Sequence, residues 1–306
     1  MEILNKLTTL KNQYPRITVA LGTFDGVHIG HQKVISRSVE LSKQLHGTSV
    51  VFTFSNHPLS MIAPERCPLQ IITQDDKVDL MEKLGVDVLL NIPFTEEFLQ
   101  LSASQFIHLL LETLNPRQIL IGPNYSFGHK RSGTPERLQE AGLKYGFKTE
   151  ISPTVYMSNT MVSSTLIRQL ITNGKVDQAA KLLGRLVALK GTVIHGAKRG
   201  RLLGYPTINL QVSSDLVIPL NGVYAVQVTI RNTQYNGIAN IGTNPTFNDI
   251  GRRIEAHILD FSGDLYGELV TVSFLKYIRN EHIFSNSEDL KLQIAKDIGT
   301  ALKYYP

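Results

Sequence analysis

An apolar run, Ile17 to Leu21, leads directly into Gly22-Thr-Phe-Asp-Gly-Val-His-Ile-Gly-His31, and a helix-like stretch from Gln32 to Leu45 follows. A buried strand that passes through a glycine-rich turn into a helix is how α/β proteins hold phosphates. This one stretch therefore restricts the first half of the chain to few folds. Its surroundings have the matching rhythm. Short apolar runs at Ser49–Phe54, Val86–Ile92, Gln118–Ile121 and Phe147–Ile151 read as strands. Helical stretches with clear starts lie between them. Thr73 precedes Asp76, Ser102 and Gln105 form a capping box, and Thr134 places Pro135 at a first helical position. Alternation of this kind predicts a doubly wound parallel sheet. Ligands in such sheets lie outside the carboxyl ends of the strands, where the Gly22–His31 turn falls.

Two helical pieces close this half: Ser163–Asn173, stopped by Gly174, and Val176–Leu183, stopped by Gly184. Beyond Gly184 strand-like runs dominate, at Leu186–Ile194, Val223–Ile230, Gly237–Ile241, Ile254–Leu259 and Leu269–Phe274. Turn residues at Asn221-Gly222, Asn236-Gly237 and Ser262-Gly263-Asp264 separate them. This half reads as an antiparallel barrel or sandwich. A last helix, about Ser287 to Lys303, carries Leu290, Ile294, Ile298 and Leu302 at spacings of four. The boundary is expected near Gly184, giving domains 1–184 and 185–306. A length of 306 residues suits two domains, since single cores stop growing near this size.

The net charge of +5 suits anionic substrates and weak nucleic-acid affinity alike. One cysteine, Cys67, excludes an intramolecular disulfide and any cysteine-based zinc cluster, and fits a reducing compartment. Met1 to Leu10 lacks a signal-peptide core, and no apolar run approaches the roughly 20 residues of a membrane span. A cytoplasmic protein is expected, with no membrane partner.

His28 and His31 admit three readings. As zinc ligands they lack a third His or Cys at a typical spacing. As packed core residues they are possible. As phosphate donors they use every part of the turn: glycines allow close backbone approach, the helix N-terminus supplies N–H groups, and imidazoles stabilise oxygens gaining charge. Later in the half, Ser163-Ser-Thr165 opens a helix with Arg168 one turn inside, which is either a plain N-cap or a phosphate clamp. In the second half, Gly196, Gly200 and Gly204 interleave with Lys198, Arg199 and Arg201. That loop is a solvated basic turn, or it closes over a polyphosphate. Pro206-Thr-Ile-Asn209 follows, and Thr207 and Asn209 offer the hard oxygens that Mg²⁺ prefers. Ile254, Ala256 and Ile258 share one strand face, and Glu255 and His257 share the other. The strand is half-solvated, or Glu255 is a general base.

The first motif, with Ile121-Gly-Pro-Asn-Tyr-Ser-Phe-Gly-His-Lys-Arg-Ser-Gly133 and Val162-Ser-Ser-Thr-Leu-Ile-Arg168, resembles the HxGH nucleotidyltransferase half of the bifunctional prokaryotic FAD synthetases. The resemblance implies a Rossmann-like fold for this half. It also implies that His28 and His31 hold ATP and stabilise its α-phosphate. Gly22, Phe24, Asp25, Gly30, Ser163, Ser164, Thr165 and Arg168 would complete the ATP site. Asn124, and Asn56 after the second strand, would line the flavin cleft; His57 beside Asn56 is equally a structural histidine.

Gly204-Tyr-Pro-Thr-Ile-Asn-Leu210, Asn221-Gly-Val-Tyr-Ala225, Asn240-Ile-Gly-Thr-Asn-Pro-Thr-Phe247 and Arg253-Ile-Glu-Ala-His-Ile-Leu-Asp-Phe261 resemble the riboflavin kinase half of the same family. Ile208 replaces the family's usual alanine, and by alternation it points away from Thr207 and Asn209. The resemblance implies that Thr207 and Asn209 hold Mg²⁺ and that Glu255 is the kinase base. Gly196, Lys198, Gly200 and Arg201 would bind ATP, and Arg279 and Glu281 would contact flavin.

Together these imply a transferase that converts riboflavin to FMN and FMN to FAD, using ATP and Mg²⁺, with flavins as substrates and products. One rival is an adenylyl- or cytidylyltransferase for another phosphorylated small molecule, with a non-catalytic β domain. The other is a basic nucleic-acid-binding module. Arg231, Arg252 and Arg253 are scattered and form no stripe with aromatics, so no nucleic-acid partner is expected. Nothing in the sequence points to a protein partner.

Overall fold

A computed structural model of the chain describes residues 1–196, 200, 203–243 and 252–305. Lys198, Arg201 and the segment Asn244-Pro-Thr-Phe247 lie outside the described residues. The chain divides into two compact units, Met1–Ser163 and Ser164–Pro306.

In the first unit six strands form one parallel sheet. In chain order they are β1 (Glu2–Leu4), β2 (Thr18–Leu21), β3 (Ser49–Phe54), β4 (Val88–Ile92), β5 (Gln118–Ile121) and β6 (Lys148–Ile151). Their spatial order is β1-β4-β3-β2-β5-β6. The order runs outward from β2 through β3 in one direction and from β5 to β6 in the other. The switch point therefore lies between β2 and β5, which is where open α/β sheets form their ligand crevice. Helices α1 (Ile29–Gln44), α2 (Leu59–Ile62), α3 (Gln74–Lys83), α4 (Glu96–Gln100), α5 (Ala103–Thr113) and α6 (Pro135–Tyr145) connect the strands. Val19, Leu21, Val50, Phe52, Leu90 and Ile119 form the core with Phe106 and Leu110 of α5.

The caps at Thr73, Ser102 and Thr134 all form, the first two as capping boxes. α1 starts earlier than the expected Gln32, because His28 itself is the N-cap. Two elements of this unit have no periodic signal to announce them. β1 is three residues long with Ile3 exposed, and pairs only along β4. The hairpin of β7 (Tyr156–Met157) and β8 (Thr160–Met161) turns through Ser158 and Asn159, both at positive φ, without the usual glycine.

The second unit begins with α7 (Ser164–Thr172) and α8 (Val176–Leu183). A closed antiparallel barrel follows, which settles the choice between barrel and sandwich. Its strands are β9 (Val187–Ile194), β10 (Thr207–Gln211), β11 (Gly222–Ile230), β12 (Thr233–Thr243), β13 (Arg252–Ile258) and β14 (Leu269–Arg279), in the order β10-β13-β12-β11-β14-β9. The expected turn at Asn236-Gly237 is corrected: both residues lie inside β12, and the chain reverses at Arg231-Asn232, with φ of 45° and 71°. Gly237 serves a close approach instead, since a Cβ there would lie 2.5 Å from the His257 carbonyl oxygen. β14 continues past Phe274 to Arg279 by accommodating two register shifts against β11.

Helix α9 (Ser287–Ala301) packs Ile294, Ile298 and Ala301 over Ala225 and Ile238 on the outside of the barrel. Leu302, expected on that apolar face, is exposed just beyond the helix end. A buried ion pair fixes the helix. Arg279 Nη2 lies 2.7 Å from Asp297 Oδ2, and Gln293 Nε2 donates to Asp297 Oδ1 at 2.8 Å.

Candidate functional site

In the first unit the site grows from the end of β2. Between β2 and α1 the main chain takes three positive φ values, at Phe24 (49°), Gly26 (77°) and Val27 (37°). For Phe24 and Val27 this costs of order 1–3 kcal/mol each, so the surroundings must enforce it. They do: both side chains are buried. Asp25 Oδ1 accepts the Ile71 N–H at 3.1 Å.

His28 caps α1, its Nδ1 accepting the His31 N–H at 3.2 Å. A nitrogen that accepts is unprotonated, so this bond leaves Nε2 as the N–H donor of the His28 ring. His31 stacks on His28 with ring centroids 3.5 Å apart and meets the Phe24 ring edge-on. His31 Nδ1 is buried with no partner among the described residues. Burial, then His28, then the Lys77 charge hold His31 well below the usual histidine range. At neutral pH the turn thus offers imidazole N–H donors beside a helix N-terminus, a combination suited to phosphate oxygens.

The neighbouring strand ends carry the other expected residues. Gly22 follows β2, and Gly30 lies in the first turn of α1. Asn124 follows β5 and is exposed. Asn56 follows β3, and both ends of its amide are engaged within the fold. Its Nδ2 donates to the Phe94 carbonyl at 3.1 Å, and its Oδ1 accepts the Phe94 N–H at 2.7 Å. His57 Nδ1 accepts the Leu59 N–H. The loop after Asn124 is drawn back to α4, where the His129 N–H donates to Leu101 O at 2.6 Å. α7 begins at Ser164, with Thr165 and Arg168 in its first turns and Ser163 just before it.

Sequence reasoning missed Lys77. It lies on α3, only 4% exposed, and its Nζ donates to the carbonyls of Thr23 and Phe54 at 3.2 Å each. Burial pulls its pKa down to about 8, against the opposing pull of Asp25. A lysine in a polar helix reads as solvent-facing, so no single-sequence signal marks it.

In the second unit the register aligns the expected residues. Asn209 of β10 pairs with Glu255 of β13, and Glu255 pairs on its other side with Asn240 of β12. Thr207 pairs with His257. Residues directly opposite share a face. These five therefore form one polar patch on the outer wall, while Ile254, Ala256 and Ile258 face the buried interior. Ile208 pairs with Ala256 and takes the other face, as alternation requires.

His257 Nδ1 lies 2.8 Å from the Pro206 carbonyl oxygen and steadies the approach to Thr207. Gly196 lies against Asn209, and a Cβ there would sit 2.1 Å from Asn209 Nδ2. A Cβ at Gly200 would lie 2.4 Å from the Tyr205 carbonyl oxygen, with the Thr207 side chain 3.4 Å away. Thr207 and Asn209 thus present neutral oxygens on one face, with Gly196 set close against Asn209, and hard donors of this type fit Mg²⁺ when phosphates complete its shell. Glu281 joins the patch through Asn240, whose Nδ2 donates to its Oε1 at 3.3 Å. Arg279 is committed to Asp297 and the carbonyl of Asn280. Of the scattered arginines, Arg231 pairs with Glu268, and Arg252 binds Asn221 and the carbonyls of Ile218 and Pro219.

The turn at the sheet's switch point and the polar patch on the barrel's outer wall are the candidate sites, one on each unit, and comparison with known proteins makes the chain a transferase. The sequence profile of the FAD synthetase family matches residues 10–166, and that of riboflavin kinase matches residues 183–305. A "Bifunctional riboflavin kinase/FMN adenylyltransferase" of Buchnera aphidicola is 39% identical over 100% of this chain and 99% of its own. One from Bacillus subtilis is 35% identical over 97% of this chain and 95% of its own. A crystal structure described as a macrolide-efflux protein from Streptococcus pneumoniae has a TM-score of 0.89 and 32% identity, covering 100% of both chains. No helix among the described residues is long and apolar enough to cross a membrane. The chain belongs to the bifunctional riboflavin kinase/FMN adenylyltransferase family.

Proposed function

We propose that the chain makes FAD from riboflavin in two ATP-consuming steps, one on each unit, in the cytoplasm. In the second unit Glu255 accepts the proton of riboflavin's primary hydroxyl as that oxygen attacks the γ-phosphorus of ATP. The bond to ADP breaks and FMN forms. Thr207 and Asn209 would hold Mg²⁺, which supplies charge neutralisation at the phosphates. Asn240 and Asn209 flank Glu255, and Glu281, reached through Asn240, would contact the flavin. Gly196, Lys198, Gly200 and Arg201 would bind the nucleotide phosphates.

In the first unit a phosphate oxygen of FMN attacks the α-phosphorus of a second ATP, and pyrophosphate leaves. His28, through Nε2–H, and His31 stabilise the oxygens that gain charge. Phe24, Asp25 and Gly30 shape the turn that presents them. Ser163, the last residue of this unit, would contact the ATP phosphates, and Asn124 would touch the flavin. Neither step needs a covalent enzyme intermediate, so positioning and charge carry the rate.

The observation that carries this reading is the alignment of Asn209, Glu255 and Asn240 abreast on three adjoining strands. The test is Glu255→Gln in the full chain. Riboflavin phosphorylation should fall by about 100-fold or more, with FAD formation from supplied FMN retained. Unchanged phosphorylation would remove Glu255 from the chemistry.

A further inference from the structure

The buried ammonium of Lys77 is not used by the mechanism above, yet it lies at the centre of the first unit's site. Three contacts dock α3 on the Gly22–His31 turn. The Ile71 N–H, just ahead of α3, binds Asp25 Oδ1. The Ile71 side chain fills the space beside Gly26, where a Cβ would lie 2.9 Å from Ile71 Cδ1. Lys77, one turn into the helix, reaches back to Thr23 O and also to Phe54 O. The capping box of Thr73 and Asp76 fixes where the helix starts, and so where Lys77 falls.

Thr23 O receives a second donor, Thr53 Oγ1 at 3.1 Å. It is also the last carbonyl before the run of positive φ at Phe24, Gly26 and Val27. A strained turn persists only where its neighbours over-determine it, and Thr23 is where that constraint enters. A neutral side chain could supply a hydrogen bond. A buried cation adds a fixed positive field at a place where a polyanion reacts, and in a dry interior that field is strong.

We propose that Lys77 is a positioning residue for adenylyl transfer: its ammonium pins the ends of β2 and β3, holds the strained turn in its phosphate-receiving shape, and adds positive charge felt at His31. This rests on reading the turn as the adenylyl site. Lys77 is not assigned as a phosphate ligand, because its ammonium is given to main-chain carbonyls.

The test compares wild type, Lys77→Met and Lys77→Arg as full chains. FAD formation from FMN and MgATP, FMN formation from riboflavin, and thermal unfolding are measured on each. In Lys77→Met, kcat for FAD formation should fall about 100-fold, the scale of an ångström-level misplacement. KM for FMN and ATP should stay within about threefold, and riboflavin phosphorylation should be unchanged. Lys77→Arg should recover at least about tenfold of the lost kcat, since it restores the charge. The proposal is overturned by a Lys77→Met enzyme within about threefold of wild type, or by Lys77→Arg no better than Lys77→Met. Loss of the first unit's melting transition in Lys77→Met would also overturn it, reducing Lys77 to a framework residue. Absence of FAD formation by wild type would sink the adenylyl reading itself, and the proposal with it.

Discussion

At the scale of single residues, the His28 cap makes two roles separable. Its Nδ1 caps α1, and its Nε2–H is the proposed donor to phosphate. Asparagine is as good an N-cap as any side chain but carries no imidazole. His28→Asn should therefore keep unfolding stability within about 1 kcal/mol while lowering FAD formation by about 100-fold; calorimetry beside a flavin assay reads both. His31 makes a prediction in pH. Its folded pKa lies well below the unfolded value of 6.5, so below 6.5 the unfolded chain binds a proton that the folded chain does not. Stability contributed by neutral His31 is present above 6.5 and drains away as pH falls toward its depressed pKa. Denaturant melts from pH 7 to 5 should show a decline that His31→Gln reduces; an identical decline in both would assign the acid sensitivity elsewhere.

At the scale of elements, what was legible in the sequence was local. The capping boxes at Thr73 and Ser102, the parallel rhythm of the first half and the alternation of Ile254 to Ile258 all act within a few residues. What was not legible depends on register or burial. Asn240 joins Asn209 and Glu255 only once β10, β13 and β12 are aligned, and Lys77 becomes notable only when α3 docks on the turn. Arg279, which the resemblance makes a flavin contact, anchors α9 through Asp297, which is 2% exposed. Removing one partner of such a pair leaves the other buried and unpaired. Asp297→Ala should destabilise the second unit by about 3–5 kcal/mol, with α9 the first element to lose hydrogen-exchange protection. A change under about 1 kcal/mol would mean that solvent reaches the pair.

At the scale of the whole molecule, α7 and α8 pack with the barrel. Leu220 N–H donates to Ile171 O, and Lys276 pairs with Asp177 at 2.8 Å. A fragment from Ser164 keeps these contacts, and one from Arg185 loses them and leaves the barrel face beneath α8 uncovered. The longer fragment should melt higher, and both should be scored for riboflavin phosphorylation; equal melting would mean the helices add nothing to the barrel. The central claim is that one chain holds two independent ATP-using sites. The most direct measurement follows riboflavin with MgATP over time, separating riboflavin, FMN and FAD, for wild type, His31→Ala and Glu255→Gln. Wild type should pass through FMN to FAD. His31→Ala should stop at FMN, and Glu255→Gln should leave riboflavin unconverted yet still turn added FMN into FAD. Loss of both steps from either single substitution would contradict the account.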